Sequence, residues 1–121
     1  MPIPRDYLEI IDDLIAKTQK GRAGWQSAPF GVELNVQKDM KIGMWGGKDE
    51  NTDEPFVSVA LQDAQGKNID NWYVDGSDAD FARMNLFFSD AKRHALGVPQ
   101  RLIKLRELIR SADFIGGTDM T

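Results

Sequence analysis

Gly31-Val32-Glu33-Leu34-Asn35-Val36-Gln37-Lys38-Asp39-Met40-Lys41-Ile42-Gly43-Met44-Trp45 is the stretch that decides the fold. Val32, Leu34 and Val36 alternate with Glu33, Asn35 and Gln37, the period of a strand with one buried face. Lys38-Asp39 breaks the alternation as a turn. Met40, Ile42 and Met44 then take the core side, leaving Lys41, Gly43 and Trp45 on the opposite face. Two antiparallel strands follow from that reading.

The same period recurs downstream. After a polar loop from Gly46 to Pro55, Val57, Val59 and Leu61 alternate with Phe56, Ser58, Ala60 and Gln62. Asp63-Ala64-Gln65-Gly66 marks a hairpin, because its glycine accepts positive φ. A fourth strand, about Lys67 to Val74, carries Ile69, Trp72 and Val74. Their parity is inconsistent, which predicts a bulge. Helical spacing brackets this meander. Tyr7, Ile11, Leu14, Ile15 and Thr18 form one stripe between about Pro4 and Lys20, with Gly21 as the left-handed stop and Trp25 as a lid closing the core. Beyond Ser77, placed to cap with Asp80, a second helix is expected over about Asp78 to Leu96. Its stripe is Phe81, Met84, Phe88, Ala91 and Ala95, widened by Leu86 and Phe87. Gly97 ends it, and Pro99 opens a third helix running to Ser111 with Leu102, Ile103, Leu105, Leu108 and Ile109 apolar. The expected architecture is α+β: one domain over 1–111, a four-stranded antiparallel meander packed on one face by one N-terminal and two C-terminal helices. Residues 112–121 form a loose tail in which Phe114 and Ile115 are the docking candidates.

The Lys17-Thr18…Gly21…Trp25 segment, the polar meander and Ala91…Ala95-Leu96-Gly97-Val98 before a final Leu/Ile helix resemble a widespread group of small uncharacterised bacterial proteins. That resemblance implies a helix, four strands, two helices plan and no settled activity. The loop at 46–55 and the tail after Asp113 exceed its usual pattern.

Composition bounds the function. With 121 residues, 41% hydrophobic and 28% charged, the chain has the make-up of a globular domain rather than a disordered segment. No apolar run approaches the ~20 residues that span a bilayer. The opening Met1-Pro2-Ile3-Pro4-Arg5-Asp6 shows no basic region followed by an apolar stretch, so a cytoplasmic protein is expected. The absence of cysteine excludes disulfides and thiolate chemistry, and a single histidine, His94, excludes multi-histidine metal sites. Charge is segregated. Residues 39–80 hold ten acids and three lysines, whereas residues 81–110 hold seven Lys/Arg and two acids. One half of the molecule is therefore acidic and the other basic, through helix solvation or through steering toward a charged partner.

Candidate chemistry is sparse. Asp49-Glu50-Asn51-Thr52-Asp53 has the alternate-oxygen spacing of a calcium loop, but Glu54 stands where glycine is needed and Ala60 where a bidentate acid is needed. Gly46-Gly47-Lys48 lacks the earlier glycine of a phosphate loop, since Ile42 occupies that place. The Ala95–Val98 corner resembles a helix-turn-helix, yet Arg93 and Arg106 fall where small and apolar residues belong, and the net acidity disfavours phosphate contacts. His94 has no evident orienting acid and nucleophile, the serines at 27, 58, 77, 89 and 111 sit in no nucleophile elbow, and Asp75, Asp78 and Asp80 suit a helix start.

The remaining feature is a surface. If helices cover the Val32/Leu34/Ile42/Val57/Val59 face, the opposite face shows Gly43, Trp45, Phe56 and Ala60, with Asp49, Glu50, Asp53 and Glu54 beside it. An exposed tryptophan among small residues suits a binding face. The expected function is a non-catalytic protein-binding or regulatory module, homodimeric or with a protein partner, without cofactor, membrane or nucleic acid. An acidic inhibitor or immunity-type protein blocking a basic site, and a small enzyme with an unrecognised site, are the alternatives.

Overall fold

A computed structural model describes residues 2–116. A 3₁₀ turn, Arg5–Tyr7, leads into α1, Leu8–Gln19. Five strands follow: β1, Gln26–Ala28; β2, Gly31–Gln37; β3, Met40–Lys48; β4, Pro55–Gln62; and β5, Asn68–Asp75. Two helices close the chain, α2, Phe81–Ala95, and α3, Val98–Ser111. The strands form one antiparallel sheet in the order β1-β2-β3-β4-β5.

The α+β meander stands, with five strands in place of the expected four. The additional strand is three residues long and follows Trp25 directly. Its pairing of Ala28 with Gly31 across Pro29-Phe30 is too short to leave an alternation in the sequence.

α2 lies across the inner face and touches all five strands, while α1 packs alongside α2 and the 3₁₀ turn. Ile11, Trp25, Met44, Val57, Val59, Trp72, Val74, Met84 and Phe87 belong to one buried cluster. α1 stops as expected. Gly21 takes φ +70°, the Arg22 amide reaches the Lys17 carbonyl at 2.8 Å and the Gly21 amide the Thr18 carbonyl at 3.0 Å, the paired bonds of a Schellman end. Trp25 is the core lid. Its Nε1 donates to Thr18 Oγ1 at 2.9 Å, and its ring meets Phe87 edge-on with centroids 5.8 Å apart.

Several expected core positions lie elsewhere. Val36, Met40, Ile69 and Leu86 are exposed. Val36 is the extra residue where the β2–β3 register shifts, and Ile69 the extra residue between the Gln62–Asn68 and Leu61–Asp70 pairs. The bulge expected in the fourth strand is therefore present, and it turns Ile69 away while Trp72 and Val74 keep the core side. Ser77 does not cap α2. Its amide and hydroxyl donate to Asp75 Oδ1, at 3.0 and 2.5 Å, in the turn before the helix, which starts later than expected at Phe81.

The largest correction concerns α3. Three helices on one sheet face were expected, but among the described elements α3 meets only α2. Gly97, at φ +68°, turns the chain so that no α3 residue is buried. Leu102, Ile103, Leu105, Leu108 and Ile109 are 45–57% exposed. Phe114 and Ile115 remain exposed rather than docked, and residues 117–121 of the expected tail lie outside the described residues.

Candidate functional site on the outer sheet face

Strand register places the candidate residues on the face opposite α2. Trp45 pairs with Ser58, which pairs with Tyr73; Gly43 pairs with Ala60, which pairs with Asn71; Gly47 pairs with Phe56, which pairs with Asp75. Across β2, Gly31 faces Trp45 and Glu33 faces Gly43. The middle of this face is thus built from Gly31, Gly43, Gly47, Ser58 and Ala60, whose small side chains form a floor between larger neighbours. Ala60 is fully buried and Gly43 buried, contrary to their expected exposure, because they are the floor and their neighbours rise above them.

Trp45 is half-buried on this floor, and Tyr73 stands 47% exposed on the far side of Ser58. Phe56 is half-buried because its ring covers Gly47, about 3.4 Å from where a Cβ would stand. An aromatic shielding a strand glycine is a stabilising device of sheets. Gly31 has no substitute: a Cβ there would overlap the Met44 carbonyl and lie 2.9 Å from Trp45 Cα. The result is a trough of about 550 Å³ bounded by Trp45, Phe30, Glu33, Lys41 and Gln62, with Phe30 86% exposed at its β1–β2 end.

The acidic segment is a tight hairpin loop. β3 and β4 extend further than expected, so the loop spans 49–54 rather than 46–55. Asp49 Oδ1 accepts the Asn51 amide at 2.8 Å and the Thr52 amide at 3.3 Å. The Asp49 amide donates to the Glu54 carbonyl at 2.8 Å, and Asp53 sits at φ +61° with Lys48 Nζ 3.6 Å from its carboxylate. Those oxygens fasten the turn instead of converging on an ion. Asp49, Glu50 and Asp53 are exposed and Glu54 is half-buried. The loop adjoins the Asp75–Asp80 turn, because the Gly76 amide donates to the Pro55 carbonyl at 2.9 Å. Within that turn Asp78 Oδ2 accepts the Asp75 amide at 2.8 Å, and Asp80 Oδ2 accepts the Ile3 amide at 3.0 Å. The outer face thus ends in an acidic pole.

His94 is occupied within its own helix. Its Nδ1 lies 2.9 Å from the Asp90 carbonyl and 3.4 Å from the Asp90 carboxylate. Among the described residues no group of three or more His, Asp or Glu side chains is placed to hold a metal, and no helix is long and apolar enough to cross a membrane.

Phe30 and Gly31 line the trough and Tyr73 stands on the same face across Ser58, and none of the three is among the sequence-based candidates. The bulge at Ile69 hid the parity that puts Tyr73 outward, and the brevity of β1 hid the hairpin presenting Phe30. No family model, curated protein or solved structure matches the chain. The reading of this surface rests on its own geometry.

Proposed function

We propose that the chain is a non-catalytic, cytoplasmic protein-binding or regulatory module that docks its partner on the outer sheet face. The resemblance to small bacterial proteins of the same plan belongs to this proposal and adds no activity to it. The observation that carries it is the trough. A floor of glycine, alanine and serine on strands pinned by a covered inner face lets a foreign side chain or backbone come close, and Trp45 and Tyr73 supply rigid aromatic anchors beside it. A protein building only a second core face would fill that floor with branched residues.

Trp45→Ala tests it. Self-association or partner binding weakens tenfold or more while the melting temperature shifts by only a few degrees, in the range of truncating an interface aromatic. A large loss of stability with binding intact shows that Trp45 serves the fold alone and overturns the proposal.

The acidic pole supports a second reading, an inhibitor that blocks a basic site on its target. The junction of Asp49, Glu50, Asp53 and Glu54 with Asp75 and Asp80 favours it, since concentrated charge speeds encounter with an opposite surface. Neutralising Asp49, Glu50, Asp53 and Glu54 then weakens binding and flattens its salt dependence; unchanged affinity overturns this reading.

A further inference from the structure

Two large surfaces of the described chain have no cover: the outer sheet face and the apolar stripe of α3. We infer that they are the two sides of one joint, with α3 of one molecule lying in the trough of a second copy. The inference rests on the reading of the outer face as a docking surface and names its occupant.

α3 has 14 residues and buries none of them. A helix of that length is marginal in water without tertiary packing. Its sequence is nonetheless strongly two-sided: Leu102, Leu105, Leu108 and Ile109 follow the three-four spacing of one stripe and are 45–54% exposed. The polar remainder carries Arg101, Lys104, Arg106 and Arg110 against one acid, Glu107. This helix requires a surface that is apolar in the middle and acidic at the margin.

Charge selects among the surfaces on the molecule. A second α3 would set four bases against four bases. The groove of about 600 Å³ between α1 and α2 offers Ile15 and Leu86, but Arg83 and Arg93 outnumber Asp90 on its lining. The outer face offers Trp45 over a glycine floor with Glu33 and Lys41 on the trough walls, Tyr73 beyond Ser58, Asp75 at the end of the Gly47–Phe56 row and the acidic loop past Lys48. Of these surfaces the outer face is the one whose apolar middle runs into a net acidic margin, Asp49, Glu50, Asp53, Glu54, Asp75 and Glu33 against Lys41 and Lys48. The exposed parts of these four α3 aliphatics come to the order of 400 Å², so mutual exchange of helices in a two-fold dimer covers on the order of 1,600 Å² in total, the size of a stable interface. A repeat that does not close gives longer assemblies through the same contact.

Light scattering on the full chain at tens of micromolar tests this with three proteins: wild type, Trp45→Ala, and the double variant Leu105→Gln with Ile109→Gln, which keeps helix-forming residues and charge while removing the stripe. Wild type is expected as a dimer or larger, each variant as a monomer. An equimolar mixture of the two variants regains a dimer, because the intact α3 of one meets the intact trough of the other. Tyr73→Ser replaces Trp45→Ala should the latter fail to fold by circular dichroism. A Trp45→Ala protein that assembles like wild type while the double glutamine variant does not shows α3 pairing elsewhere and overturns the inference. Wild type that is monomeric also overturns it, while leaving the outer face open to a foreign partner, so the two readings fail separately. A monomer that sediments with phosphatidylserine-containing vesicles, an interaction lost in the double glutamine variant, assigns α3 to a lipid surface instead.

Discussion

Trp25 and Trp72 occupy the same buried cluster, at 4% and 5% exposure, and differ in what their indole nitrogens meet. Trp25 Nε1 donates to Thr18 Oγ1. Trp72 Nε1 has no acceptor among the described residues, although its ring packs edge-on against Tyr7 with centroids 5.4 Å apart. Trp25→Phe strands the hydroxyl of a fully buried threonine and is expected to cost about 2–3 kcal/mol. Trp72→Phe removes a donor that contributes no bond, so its cost is expected to be about 1 kcal/mol smaller, and urea unfolding of the pair measures the difference. Tyr7 supplies a second test. Burial, and then the hydrogen bond from its hydroxyl to Asp70 Oδ2 at 3.0 Å, push its pKa up to about 12. The unfolded chain releases the phenolic proton near 10, so the stabilisation is complete below pH 10 and falls away as the pH rises toward 12. Wild type is expected to lose stability relative to Tyr7→Phe across that window, with a slope of up to about 1.4 kcal/mol per pH unit. Comparing their unfolding at pH 9 and 11.5 checks the sign.

At the scale of elements, what repeats was legible, and what happens once was legible where a glycine, a polar pair or a break in parity marked it. The stripe of α1, its Gly21 stop, the Lys38-Asp39 turn and the three long alternations all rest on several residues agreeing with one period. Bulges at Val36 and Ile69 each insert one residue: the broken parity of the fourth strand announced the second, whereas the first falls beside the turn and leaves no break in the pattern. β1 is shorter than two periods of its own pattern. The stripe of α3 was legible as amphipathic, but amphipathicity says only that a helix has an apolar face, not which molecule covers it. The candidate site divides the same way. The side on which Trp45, Phe56, Gly43 and Ala60 lie followed from parity, whereas the burial of Ala60 depends on how high its neighbours stand. Gly31→Ala probes the β2–β3 pairing: its methyl would collide with the Met44 carbonyl, and a loss of about 3 kcal/mol or more is expected in denaturant unfolding.

For the whole molecule the decisive property is the separation of charge, ten acids within 39–80 and seven bases within 81–110. The fold sharpens it. The 49–54 loop and the Asp75–Asp80 turn are joined by a backbone hydrogen bond, while the bases of α3 hang from the far end of α2 on the Gly97 corner. A bipolar body joined through its opposite ends has a characteristic response. Raising ionic strength is expected to shift the scattering mass toward 13.6 kDa, and lowering it to restore the larger species. An assembly held by apolar contact alone would tighten with sulfate and ignore chloride.

Gly97 has one more consequence, in the time domain. Because α2 is the one described element that α3 meets, its hydrogen bonds can open without disturbing the sheet. Amide protons of Leu105 to Arg110 should therefore exchange with solvent by local opening at low protein concentration, orders of magnitude ahead of those in β4, whose exchange waits for global unfolding. Exchange of that kind marks α3 as a cooperative unit of its own, whose rate reports whether its apolar stripe is covered.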